Sequence, residues 1–177
     1  MVLDDIKSTD TALVAAFQKF TTRVHAGENF SFWFDKGNNE GKYAKYIKHG
    51  APKELTLDNS ELVKQFNALA AANKYHEMDP LFVKARLEVH NMLGGRIHEF
   101  ETSQEYKDYV AVKKAGNIDK ALKLLGIDSG HSAAMKTLLK EYATDSTDAA
   151  KKATLAKMEK IAKHEQIVAA LKSAGLQ

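Results

Sequence analysis

The segment Glu28-Asn29-Phe30-Ser31-Phe32-Trp33 constrains the fold more than any other part of this chain. It carries the single tryptophan, and Phe30, Phe32 and Trp33 follow a polar pair at once. Each aromatic ring hides roughly 150–250 Å² when buried, so the segment has to line a core. The Glu28-Asn29 pair is then fixed at the surface beside a rigid anchor, an arrangement suited to docking on a partner. Helix-boundary chemistry is the plainer use of such a pair, because capping is the usual work of asparagine.

The surrounding pattern is helical. Leu13, Ala16, Phe17, Phe20 and Val24 recur at i, i+3, i+4, i+7 and i+11, one face of an amphipathic helix. Ser8 to Asp10 offers caps in front of it. Gly27 interrupts the run, Phe30, Trp33 and Phe34 restart it, and Gly37 to Gly41 reads as a polar loop. Tyr43, Tyr46 and Ile47 predict a short helix closed by Gly50 and Pro52. Asp58 and Glu61 form a capping box ahead of Leu62, Phe66 and Leu69. Asp79 is expected to cap the next helix with Pro80 at its first position. Phe82, Ala85, Val89 and Met92 carry that helix to Gly94-Gly95. Ile97 and Phe100 make a short turn, and Thr102 to Glu105 is a second capping box leading into Tyr106, Tyr109, Val110 and Val112. Asn117 is expected to cap a helix from Ile118 to Leu125, closed by Gly126.

Aromatic residues stop at Tyr142. His131, Met135, Leu138 and Tyr142 mark one helix face, and Ser146-Thr147-Asp148 opens a long Ala/Lys-rich helix striped by Leu155, Met158, Ile161, Ala162, Val168 and Leu171. No segment alternates apolar and polar residues long enough for a strand. With two prolines and abundant Ala, Lys, Leu and Glu, the chain is expected to be all-α.

Composition excludes several functions. The net charge of +3 is spread among interspersed acids and lysines, without the basic stripe of a nucleic-acid binder. The absence of cysteine excludes disulfides and thiolate metal sites, and it fits a reducing compartment. Met1 to Asp10 holds three aspartates and is no secretory signal, and no run approaches the ~20 apolar residues of a membrane span. The expected location is cytoplasmic. None of the seven histidines forms an i, i+4 pair or a His-Glu-x-x-His run, so no metal is expected. His90 and His98 straddle a loop, and His131 in Ser129-Gly130-His131-Ser132 reads as a first-turn residue of a capped helix. Gly37 to Lys42 lacks the spacing and hydroxyl of a phosphate loop, and no nucleophile elbow is present. No catalytic group and no cofactor are expected. The stripe of the C-terminal lysine-rich helix is Ala-rich and free of aromatics, which favours packing on a neighbouring helix over a membrane surface. That neighbour belongs to the same chain or to a second copy, so self-association through the C-terminal helices is one expected partner mode.

Three blocks, in order, resemble the regulators of G-protein signalling, the RGS family. Phe17-x-x-Phe20 followed by Glu28-Asn29-Phe30-Ser31-Phe32-Trp33 is similar to the family's Phe-x-x-Phe, then Glu-Asn-hydrophobic-x-Phe-Trp. Tyr46-Ile47, then Ala51-Pro52-Lys53-Glu54-Leu55-Thr56-Leu57-Asp58, resembles Ala-Pro-Lys-Glu-hydrophobic-Asn-hydrophobic-Asp. Phe82, Ala85, Glu88, Val89, Asn91-Met92-Leu93, Phe100, Ser103 and Tyr106 resemble the helix and return segment that close the family's bundle. The resemblance covers roughly residues 10 to 112. It implies an RGS-type helical bundle over residues 1–125, with a helical C-terminal extension over 126–177.

It also implies a partner, the α subunit of a heterotrimeric G protein. Family members hold that subunit's switch loops in their transition-state arrangement and so accelerate GTP hydrolysis. They add no arginine, because the α subunit carries its own. The implied contact residues are Glu28 and Asn29, then an asparagine near the end of the helix after Asp58, for which Asn67, about one position out of register, is favoured over the more distant Asn73, and Met92 at an apolar contact position. Arg96 falls in the third contact turn, Gly94-Gly95-Arg96-Ile97-His98, which is shorter than the family's and lacks its acidic residue. The segment from Trp33 to Tyr43 is shorter than in the family, and that from Leu69 to Phe82 is longer. The alternative expectation is an RGS-fold interaction scaffold without GTPase-activating activity.

Overall fold

The computed structural model describes residues 1–6 and 9–177. Ser8, one of the expected caps, lies outside the described residues. Among the described residues all regular structure is helical and there is no strand. The chain divides into two compact units, Met1–Tyr109 and Val110–Gln177.

In the first unit a 3-10 turn, Leu3–Asp5, precedes α1 (Thr11–Arg23), α2 (Gly27–Phe34) and α3 (Asn39–Lys42), which runs on as a π-helical turn, Tyr43–Ile47. Then come α4 (Ser60–Ala71), a 3-10 turn (Tyr75–Met78), α5 (Asp79–Gly94), α6 (Ile97–Thr102) and the start of α7 (Gln104–Leu125). Asp10 caps α1 by accepting from the Leu13 N–H at 3.0 Å. The expected loop at 37–41 is half helix, because the Asn38 side chain accepts from the Gly41 N–H at 2.8 Å.

Two expected caps move by one residue and a third is absent. Asn59, not Asp58, caps α4 by accepting from the Leu62 N–H at 3.1 Å, while the Asp58 N–H donates to Glu88. Asp79 is already helical, because the 3-10 turn leads straight into α5 and needs no cap there. Ser103 takes the second capping position, its Oγ accepting from the Tyr106 N–H at 3.2 Å, while the Thr102 hydroxyl donates back to Glu99 O within α6.

The core of this unit is aromatic. Phe17 lies edge-on to Phe100 with ring centroids 5.0 Å apart and to Phe30 at 6.0 Å, and it stacks on Phe20. Phe32 meets Tyr46 edge-on at 5.3 Å, and Phe66 and Phe82 lie 4.7 Å apart. Phe17, Phe20, Phe32, Tyr46, Phe66 and Phe100 are fully buried. Trp33 is not the anchor: it is half-buried and packs on His90 at 5.1 Å, leaving Phe32 as the fully buried ring of α2.

Asp35 ties the end of α2 to this core. Its carboxylate accepts from the Gly37 N–H at 2.7 Å, the Tyr46 hydroxyl at 2.8 Å and Lys45 Nζ at 2.9 Å. Its backbone oxygen accepts from Arg86 of α5 at 2.7 Å. Burial pushes the Asp35 pKa up, but the hydrogen bonds from Lys45, Gly37 and Tyr46 outweigh it and hold the value down at about 2.

The second unit holds the rest of α7, then α8 (Ser129–Thr144), α9 (Asp148–Met158) and α10 (His164–Ser173). Ile118, Ala121, Leu125, Met135, Leu139, Tyr142, Met158, Ile167 and Leu171 form its core. The division therefore falls inside α7 rather than after Leu125. Tyr106 and Tyr109 pack against the first core, whereas Ile118, Ala121 and Leu125 belong to the second. Asn117 caps nothing, since α7 is helical through it. The expected long C-terminal helix is two helices. Thr147 caps α9 through the Ala150 N–H, and the chain turns after Met158, whose carbonyl accepts from Ile161 and Ala162. Met158 and Leu171 from the expected stripe are buried within this unit.

Gly116 lies within α7, and a Cβ built there meets nothing within 4 Å. Glycine inside a helix is destabilising by roughly 0.5–1 kcal/mol relative to alanine. Gly116→Ala is therefore expected to raise the unfolding free energy by roughly 0.5–1 kcal/mol, read from denaturant titration.

Candidate functional site

The start of α2 forms one wall of a cleft of about 380 Å³, lined by Gln18 and Thr22 of α1, Gly27, Glu28 and Ser31 of α2, and the turn Pro52-Lys53-Glu54. The corner between α1 and α2 is tight. His25 takes a left-handed conformation, φ 55°, and the Ala26 N–H donates back to Thr21 O at 2.7 Å. A Cβ at Gly27 would lie 3.4 Å from Thr22 Oγ1 and 3.5 Å from Thr22 Cα, in ordinary van der Waals contact between the two helices.

The opposite wall is fixed by its own hydrogen bonds. Gly50 has φ 74°, and its N–H donates to Glu54 Oε2 at 2.7 Å. The Lys53 N–H donates to Lys45 O and the Leu55 N–H to Tyr46 O, which anchors this turn to the π-helical segment. The Gly50 N–H, with His49 beside it, holds the Glu54 carboxyl below its usual pKa. Lys53 Nζ bridges the walls by donating to Ser31 Oγ at 2.8 Å, and Ser31 donates on to Gly27 O. The result is a small polar cleft in which the Glu54 carboxylate, the Lys53 ammonium and the Ser31 hydroxyl are held in set positions.

Glu28 lines this cleft and is half-buried. Asn29 does not line it. Asn29 is 6% exposed, and its Oδ1 is buried without a hydrogen-bond partner. An orphaned buried acceptor costs about 1–3 kcal/mol. Asn29→Leu, with the same branching at Cγ and without that acceptor, is expected to stabilise the chain by about 1 kcal/mol. A lower midpoint in thermal unfolding would contradict the orphan assignment.

The other candidate residues are not at the cleft. Asn67 is exposed on α4, and its Oδ1 accepts from the Tyr43 hydroxyl at 2.8 Å. Met92 is half-buried on α5. Arg96 is exposed between α5 and α6 and pairs with Glu99 at 3.0 Å. The residues that sequence reading passed over are Lys53 and Glu54, although the Ala51 to Asp58 motif contained the signal. Thr56, at the position where that motif has asparagine, lines an adjoining cleft of about 560 Å³ that shares Glu54 with the first.

Among the described residues no group of three or more His, Cys, Asp or Glu could hold a metal ion. His131 pairs with Asp128 at 3.0 Å, as a first-turn residue beside its cap, and His164 pairs with Glu159 at 2.6 Å. No described helix is long and apolar enough to cross a membrane. The chain matches no family model, no curated protein and no solved structure.

Proposed function

We propose that Met1–Tyr109 is an RGS-type helical bundle that docks on the α subunit of a heterotrimeric G protein and accelerates its GTP hydrolysis. The observation that carries this reading is the convergence of two separate motif blocks on one cleft. Glu28 of the first block faces Pro52, Lys53 and Glu54 of the second, and rings of the first and third blocks interlock through Phe17, Phe30 and Phe100. Polar side chains such as Lys53, Glu54 and Ser31, held by hydrogen bonds, suit a protein that grips another protein's loops. Gripping them best in the transition-state conformer lowers the barrier without any reacting group from this chain.

Binding tests the docking half of the reading. The chain is expected to bind an α subunit loaded with GDP and aluminium fluoride more tightly than the same subunit with GDP alone. Glu28→Lys reverses the charge of one wall at a half-buried position and is expected to weaken the aluminium fluoride complex at least tenfold while leaving the fold intact by circular dichroism.

A second reading, an RGS-fold scaffold without activating function, is favoured by the placement of Asn67, Met92 and Arg96 away from the cleft and by the inward turn of Asn29. It predicts equal affinity for the two nucleotide states.

A further inference from the structure

The two units differ in charge. Met1–Tyr109 carries 14 basic and 16 acidic residues, while Val110–Gln177 carries 12 lysines against seven acidic residues, a net charge of +5. The second unit has no arginine, and its one aromatic residue, Tyr142, is buried.

Part of this charge lies on one face of α7. At 3.6 residues per turn, Val112, Gly116, Lys120, Lys123 and Leu124 fall within a sector of about 120°. All five are exposed, Val112 at 70% and Leu124 at 54%, although both are large aliphatic side chains. The opposite face of the helix, with Ile118, Ala121 and Leu125, is committed to the core. Asp119, at the edge of the exposed sector, is held by Lys136 of α8 at 2.6 Å. Lys120 and Lys123 form no ion pair among the described residues. The face therefore offers uncompensated positive charge with aliphatic groups set among it.

We propose that this face of α7 binds the surface of an anionic lipid bilayer. Lysine is a compact charge that needs no fixed geometry of its partner, which suits a fluid array of phosphate and carboxylate headgroups. Val112 and Leu124 gain by entering the boundary between headgroups and acyl chains. A nucleic acid would leave these two side chains against phosphate. The second unit also lacks the arginine forks that read base edges and the exposed aromatic rings that stack on unpaired bases.

The test is sedimentation of the full chain with phosphatidylcholine vesicles, with and without phosphatidylserine. Binding is expected only with phosphatidylserine and is expected to fall steeply as salt is raised. The double variant Lys120→Glu, Lys123→Glu is expected to lose at least about tenfold in vesicle binding, given the contribution of each surface lysine. Leu124→Ser is expected to weaken binding at constant charge. All three positions are exposed, so circular dichroism should match the parent. Equal sedimentation with neutral vesicles, no sedimentation with either, or a charge-reversed variant that binds like the parent would overturn the proposal. So would tighter binding to duplex DNA that Leu124→Ser leaves unchanged.

Discussion

Phe17→Ala is expected to destabilise the first unit by about 3–5 kcal/mol, the usual cost of emptying a phenylalanine site in a packed core. Phe17 is fully buried and touches three other rings, Phe20, Phe30 and Phe100. Such ring pairs add about 0.5–1.5 kcal/mol each beyond area burial, so the loss belongs at the upper end of that range. The three partners come from α1, α2 and α6, which leaves no single side chain able to collapse into the space. Folded domains hold only about 5–15 kcal/mol in total, so the variant should melt far below the parent or fail to fold at ambient temperature. Denaturant titration of the full chain, followed by Trp33 fluorescence, reports on this unit because Trp33 lies in it. A shift below about 1 kcal/mol would show that the rings do not share one packed core.

Asp35→Ala should have the next largest effect, about 2–3 kcal/mol, because it leaves the buried Tyr46 hydroxyl without an acceptor and releases the Gly37 N–H and Lys45. The same carboxylate sets part of the acid sensitivity. Its folded pKa of about 2 lies below its ordinary 3.8, so its stabilising contribution is complete above 3.8 and is lost as pH falls toward 2. Glu105 behaves alike. Hydrogen bonding from Arg23, at 2.7 and 3.2 Å, is the main cause of its fall from 4.5 to about 2. Stability should therefore decline between about pH 4.5 and 2, with a shallower decline in Asp35→Ala. A variant whose acid limb matches the parent would remove Asp35 from the account.

The helices were legible wherever apolar spacing was long and regular. Leu13, Ala16, Phe17 and Phe20 of α1 and Phe82, Ala85 and Val89 of α5 lie buried as their spacing demands, whereas Met92 at the end of the second stripe is only half-buried and Leu93 takes the core position. Cap identities were less legible, because adjacent Asp58 and Asn59 both qualify and tertiary bonding decides between them: Glu88 takes the Asp58 N–H. The continuity of α7 through Gly116-Asn117 was invisible locally, since its cause is burial of Ile118, Ala121 and Leu125 in the second core. The break after Met158 was hidden for the opposite reason. Two short helices that pack on one core carry the same Ala/Lys texture as one long helix.

The cleft was half legible. Glu28 lines the cleft, whereas the presence of Lys53 and Glu54 there depends on the turn after Gly50 reaching across to α2. Asn29 is the instructive case. Its neighbour in sequence faces the cleft, but the helical step of 100° per residue turns Asn29 inward.

Single-turnover GTP hydrolysis by a panel of heterotrimeric G-protein α subunits tests the central claim most directly. With the full chain in excess, at least one subunit is expected to hydrolyse bound GTP at least tenfold faster, and Glu28→Lys is expected to abolish the gain. Unchanged hydrolysis across the panel, from a chain shown to be folded, would contradict the account.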